Sequence, residues 1–154
     1  MKPGRPEADV LELFTFTVGA HRYAVDLARV DEVLPDTPVQ PLPEAAAPVS
    51  GSISLRGERV PVVALRAALG EAAAAEGSRP GLLVCWLGQR RVAFSMDGVG
   101  GVVPVAVSSL RMPPAADAVP HGVVAVWAQP PGATLLLDVL LLLRRKSPVA
   151  AGTG

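Results

Sequence analysis

The chain has 154 residues, 50% hydrophobic and 18% charged, the balance of a folded protein rather than a disordered one. Lys+Arg and Asp+Glu stand at 14 each, so no charge excess directs the chain to nucleic acid. Sixteen prolines and 15 glycines interrupt long helices too often for an all-helical fold, leaving many short strands in one compact domain or two small subdomains.

Taken from its start, the chain opens on MKPGRPEADV, which has no apolar stretch before a cleavage site and is not expected to act as a signal peptide. Residues 1–9 and 147–154 are polar, with prolines or glycines, and are expected to be flexible tails. One domain over residues 10–146 remains. Gly19 follows an apolar strand and precedes a polar turn, Ala20-His21-Arg22. Tyr23, Val25, Leu27, Val30 and Val33 then recur at spacings of two, two, three and three. Such spacing predicts a strand with one buried face that runs into a helical turn or bulge.

Leu42-Pro43 precedes a hairpin signal in GSISLRGERVPVVALR, residues 51–66. Ile53 and Leu55 alternate, Arg56-Gly57-Glu58-Arg59 form a charged turn, and Val60, Val62, Val63 and Leu65 resume the apolar pattern. This geometry exposes a cation at the tip of a rigid hairpin. Pro61 marks an edge or a bulge. A helix is expected over Arg66–Ala75, and the stretch from Gly70 to Gly81 reads as a linker.

The second half repeats the first. Gly88 matches Gly19, and Val92, Phe94, Met96, Val99 and Val102 stand 69 residues beyond the five apolar residues named above. Met112-Pro113 matches Leu42-Pro43, and Gly122 with Val124 matches Gly51 with Ile53. An apolar strand, Thr134–Leu137, and a helical candidate, Asp138–Lys146, close the half. A structural duplication follows. Two small β-barrels side by side would be the result, the first roughly over residues 14–70 and the second roughly over 82–143, with exchange of strands between them left open.

Chemistry is sparse. Two histidines, His21 and His121, fall in turns or loops and are read as solvent-facing, and with one cysteine they offer no metal-ligand spacing. Cys85 lies in LLVCWL and is read as a buried structural thiol in a reducing compartment. Gly98-Val99-Gly100-Gly101 lacks the dinucleotide fingerprint and reads as a turn, and no P-loop or nucleophile elbow is present. No cofactor is expected. Trp86 and Trp127 alternate with apolar neighbours and are assigned to core packing.

From Gly122 to Leu143 the only formal charge is Asp138. A membrane span there would bury Gln129, two prolines and a carboxylate, so a strand, a turn and a short helix are expected instead, without direct membrane insertion. Glu32 and Arg56 are the two charges singled out. If adjacent they would form an oriented carboxylate–guanidinium pair, and the residues alone give equal standing to two unrelated solvated charges.

Across Leu11 to Leu143 the chain resembles the CheW family of bacterial chemosensory adaptors. The resemblance is carried by LFTFTVGAHRYAVDLARVDEV, PLP, GSISLRGERVPVVALR, WLGQRRVAFSMDGV and TLLLDVLLLL in that order. It implies a mainly β fold of two intertwined five-stranded SH3-like barrels with short helices. It also implies a cytoplasmic, non-enzymatic role, recruited to membrane-associated arrays and linking methyl-accepting chemoreceptor tips to the histidine kinase CheA. The receptor's helical tip would dock at Val30, Glu32, Val33, Arg56, Gly57, Val99 and Val102. CheA's regulatory domain would pair end to end with a barrel through residues that the resemblance does not name. Ser54, Ala64 and Gly101 depart from the family's usual asparagine, aspartate and acidic residue. Those departures leave room for a non-flagellar array. A small-molecule-binding β-barrel is the reading from a different class; it needs a polar-lined cavity, whereas Val, Leu and Ala dominate both halves.

Overall fold

The computed structural model describes residues 9–35, 37–43, 48–72, 81–113, 115, 119–129 and 132–144. The first half forms β1 (Val10–Val18), β2 (His21–Asp26), β3 (Val30–Leu34), β4 (Gln40–Pro41), β5 (Val49–Leu55), β6 (Glu58–Val63) and α1 (Leu65–Leu69). The second half repeats the series as β7 (Gly81–Leu87), β8 (Arg90–Met96), β9 (Gly98–Ala106), β10 (Leu110–Arg111), β11 (Val123–Gln129), β12 (Gly132–Leu137) and α2 (Val139–Leu143).

These strands form two six-stranded sheets, ordered β10-β11-β12-β2-β1-β9 and β4-β5-β6-β8-β7-β3. Position by position, each sheet is the counterpart of the other, and each half places its leading hairpin in the other half's sheet. Two parallel pairings seat the exchanged hairpins: β2 beside β12, with Tyr23 opposite Leu135, and β8 beside β6, with Phe94 opposite Val63. In each sheet the two-residue strand, β10 or β4, is one edge, and the other five strands are the five expected for a barrel. The opposite edges, β9 and β3, lead directly in the chain to β10 and β4. Backbone continuity thus spans the seam that the pairing leaves open.

Burial explains the exchange. The main core draws Phe14, Phe16, Tyr23 and Val25 from β1–β2, Leu83, Cys85 and Phe94 from β7–β8, and Leu65, Leu69, Val139 and Leu142 from the helices. Two satellite cores occupy the other faces: Ile53, Leu55, Val60, Val62, Leu82, Val84 and Ala93 in one sheet, and Leu13, Ala24 and Val105 in the other. Strands β1 and β7 therefore bury both faces; LLVCWL accordingly reads as a continuous apolar run, while β1 alternates phenylalanine with threonine and buries Thr15 as well.

Several local expectations shift. The Gly98–Gly101 stretch is strand, not turn, because its glycines let β9 lie against β1: a Cβ on Gly98 would sit 2.8 Å from Thr17 Oγ1, and one on Gly100 would collide with the Thr15 hydroxyl. The charged hairpin turn narrows to Arg56-Gly57, since Glu58 already pairs with Leu55. Pro61 sits where β6 has β5 on one side only; pairing with β8 begins at Val62. Both tryptophans are half-buried at the margins of the cores, not enclosed. Helix α1 ends early because Gly70 takes a left-handed conformation, φ 74°, and closes the turn. The centre of the expected linker, both tails and the end of the last helical candidate lie outside the described residues.

The two helices differ at their starts. Asp138 caps α2, its Oδ1 accepting from Leu140 N at 3.0 Å and Leu141 N at 3.3 Å. Ala64 holds the same position before α1, with similar extended backbone, and no side-chain cap. Ala64→Asp is expected to stabilise the fold by about 1 kcal/mol, raising the thermal midpoint by about 2–4 °C. An unchanged midpoint would show that the α1 amides are already satisfied.

Candidate functional site

Strand β3 is an edge strand, and its pairing with β7 skips a residue. Val30 faces Cys85 and Glu32 faces Val84, so Asp31 is the extra residue of a β-bulge. Strand β9, the opposite sheet's edge, carries the same feature. Phe16 faces Val99, Thr15 faces Gly101, and Gly100 is the extra residue. The three-residue spacings Val30–Val33 and Val99–Val102 are these bulges. On β9 the bulge brings Val99 and Val102 to one outward face, 60% and 50% exposed, where strict alternation would divide them.

The β5–β6 hairpin supplies the cation. Arg56 has φ 49° and Gly57 φ 83°, the two positive values that a two-residue primed turn requires. Arg56 is the only non-glycine with positive φ among the described residues, a conformation costing about 1–2 kcal/mol for a residue with a Cβ. Its Nη1 donates to Glu32 Oε1 at 3.0 Å and Oε2 at 3.3 Å, and Nη2 lies 3.6 Å from Asp31 Oδ2. The same Oδ2 lies 3.6 Å from Arg91 Nε. Arg91 Nη1 is 3.5 Å from Glu58 Oε1, and its guanidinium rests 4.9 Å from the centre of the Trp86 ring. Three carboxylates and two guanidiniums thus interlock beside the exposed Val33.

Of the two readings of Glu32 and Arg56, the structure shows the adjacent, oriented pair. Gly57 completes the turn, and Val30 and Val33 flank the bulge on β3. Val99 and Val102 stand on the other sheet's edge; among the described residues no hydrogen bond or ion pair joins them to the charged cluster. Asp31, Glu58, Arg91 and Trp86 were not expected at the site. The hairpin register was the available signal, since a two-residue turn at Gly88-Gln89 sets Trp86 opposite Arg91.

A second polar cluster binds the exchanged β1–β2 hairpin to α1. Glu71 Oε2 accepts from the Tyr23 hydroxyl at 2.8 Å and lies 2.6 Å from His21 Nδ1. Gly19 N donates to Asp97 Oδ2 at 2.6 Å, and Arg66 Nη2 donates to the same atom at 2.7 Å. Burial acts to raise the Glu71 carboxyl, but hydrogen bonds from Tyr23 and His21 outweigh it and leave the group below its ordinary 4.5. Burial, and then Glu71, push the Tyr23 hydroxyl upward. His21 is thus exposed yet engaged. His121, expected in solvent, is half-buried with Nε2 2.7 Å from the Arg144 carbonyl. Cys85 is buried, and burial pushes its thiol up to about 12, so it is protonated at neutral pH. No described helix is long and apolar enough to cross a membrane.

Comparison with known proteins places this geometry. Residues 12–147 match the family described as the CheW-like domain. The chain is 34% identical over 103 residues to the chemotaxis protein CheW of Rhizobium meliloti, covering 67% of this chain and 66% of that protein. Against the chemotaxis protein CheW of Treponema pallidum the identity is 29% over 107 residues, covering 67% and 63%. The chain thus spans just under two thirds of the length of these relatives. The crystal structure of the scaffolding protein TtCheW from Thermoanaerobacter tengcongensis superposes with a TM-score of 0.78 at 20% identity, over 88% of this chain and 94% of that one.

The Glu71 cluster gives the fold a defined acid response. A carboxyl lowered by folding adds stability that is complete above the unfolded value, near 4.5, and lost as pH falls through the lower folded value. Glu71→Gln is expected to destabilise the protein at pH 7 and flatten the fall in stability below 4.5. Denaturation midpoints of both proteins across pH 3–7 check this, and parallel curves would mean that Glu71 contributes nothing to the acid response.

Proposed function

The chain belongs to the CheW-like domain family, and from that membership we propose a non-enzymatic adaptor that couples chemoreceptor cytoplasmic tips to the histidine kinase CheA. The observation that carries the reading is the guanidinium of Arg56, held by Glu32 at 3.0 Å on a rigid hairpin tip beside the edge-strand valines. A helical receptor tip needs an apolar floor and a few oriented polar fixtures. Val30, Val33, Val99 and Val102 are the proposed floor, and Glu32, Arg56 and Gly57 the proposed fixtures. The regulatory domain of CheA is assigned to the end of a barrel, most simply the second. On this reading the protein acts in the cytoplasm and reaches membrane-associated arrays through its partners. Two modest interfaces on one small body reinforce each other when receptor and kinase are both arrayed.

The test uses a substitution that suits the turn. Asn-Gly is the preferred pair for a two-residue primed hairpin, so Arg56→Asn keeps the backbone and removes the cation. Binding to receptor cytoplasmic fragments is expected to weaken about tenfold, while binding to the kinase regulatory domain and the thermal midpoint hold. Arg56→Ala should weaken receptor binding equally, with some loss of stability. Equal loss of both partners would make Arg56 structural. Failure of the folded wild-type protein to bind either partner would assign this scaffold to a different one.

A further inference from the structure

We propose that Arg91 is a positioning residue for Arg56, acting through the bulged Asp31 to hold the receptor-facing guanidinium in its docking orientation. The proposal deepens the adaptor reading above and rests on it for the partner alone.

Strand β7 separates β8, which carries Arg91, from β3, so Arg91 must reach across one strand to meet Asp31. Three contacts fix that reach. The Trp86 ring, directly opposite on β7, supports the guanidinium at 4.9 Å. Glu58 Oε1 meets Nη1 at 3.5 Å, and Asp31 Oδ2 meets Nε at 3.6 Å. The first two contacts leave Arg91 little freedom before it touches Asp31.

Asp31 Oδ2 and Arg91 Nε are both buried polar atoms without a hydrogen-bond partner. Their charges face each other at 3.6 Å, so removing Arg91 leaves Asp31 Oδ2 with Arg56 as its one remaining cationic neighbour among the described residues. The same Oδ2 faces Arg56 Nη2 at 3.6 Å. Arg56 is 57% exposed and would otherwise hold only to Glu32, a pairing of small value in solvent. Glu58 meanwhile pairs with Leu55 to close the Arg56-Gly57 turn. Arg91 therefore grips both the turn that carries Arg56 and the carboxylate that faces it.

The other half shows that the fold does not need this device. At the equivalent bulge stands Gly100, where a Cβ would collide with Thr15. The backbone forms the same bulge without a carboxylate, so Asp31 and Arg91 answer to something other than the bulge.

The test measures Arg56 directly. In ¹⁵N relaxation of arginine Nε groups, Arg56 is expected to be ordered in the wild type and to fall to the level of exposed Arg90 in Arg91→Gln and in Asp31→Asn. Receptor-fragment binding should weaken about threefold to tenfold in Arg91→Gln, and Arg91→Gln should add nothing in the Arg56→Asn background. A purely structural Arg91 would lower the thermal midpoint while leaving Arg56 order unchanged. Unchanged order in both variants, or fully additive binding losses, would overturn the proposal. Loss of Arg56 order in a protein whose wild type binds no receptor fragment would uphold the positioning role and reject the docking reading.

Discussion

Two hairpins buried on both faces set the terms for the rest of this molecule. Strand β1 presents Leu13 to one core and Phe14 and Phe16 to another, and β7 divides Leu82 and Val84 from Leu83 and Cys85 in the same way. A two-stranded hairpin cannot cover both of its own faces, so each must be inserted between other elements. The parallel contacts with β12 and β6 accomplish this by lending each hairpin to the opposite half. The central core consequently draws on both sheets, and neither sheet can leave the other without exposing phenylalanine and leucine. Arg66, Asp97 and Glu71 then tie the first hairpin's turn to α1 with charge-assisted hydrogen bonds.

That insertion also decides what lies at the sheet edges. Inserting β1 and β7 leaves β9 and β3 outermost on their side. A regular, uncharged edge strand invites pairing with another chain, and a bulge is one defence against it. Both edges carry a bulge at the same place, which turns the local backbone and re-aims its side chains. The duplicated geometry is then used in two ways. Asp31 places a carboxylate where two arginines can reach it, whereas Gly100 yields its side-chain space to Thr15.

Much of the architecture was legible because its signals are local. The glycine turns at Gly19 and Gly88, the paired apolar spacings and the charged hairpin at Arg56 specify strands and turns without reference to distant residues. The repeat pointed to two equivalent sheets. Which hairpin belongs to which sheet was not legible, since parallel pairing of β2 with β12 joins residues about a hundred positions apart and leaves no periodic trace. Gly98–Gly101 misled because glycine ordinarily marks turns; here the threonines of β1 require the missing side chains. At the site, Glu32 and Arg56 stood out as charges among valines. Asp31 and Arg91 did not, because a bulge and a cross-strand tryptophan contact become visible only once register is known.

Arg56 itself presents a balance that stability does not explain. Its left-handed backbone costs about 1–2 kcal/mol relative to glycine, and asparagine would fit there at less cost. The partly exposed ion pair with Glu32 returns at most about 1 kcal/mol. Folding alone therefore gives no net reason to prefer arginine at that tip. The neighbouring charges are also poorly suited to stability, because Asp31 and Arg91 leave polar atoms buried without hydrogen bonds. What the arrangement does achieve is orientation. A planar guanidinium is fixed on two sides by carboxylates, its turn is closed by Glu58, and more than half of its surface still faces solvent. An oriented, exposed donor is what the proposed docking of a partner would use. The strained turn and the costly buried pair are the features that the proposed docking of a partner at this corner would account for.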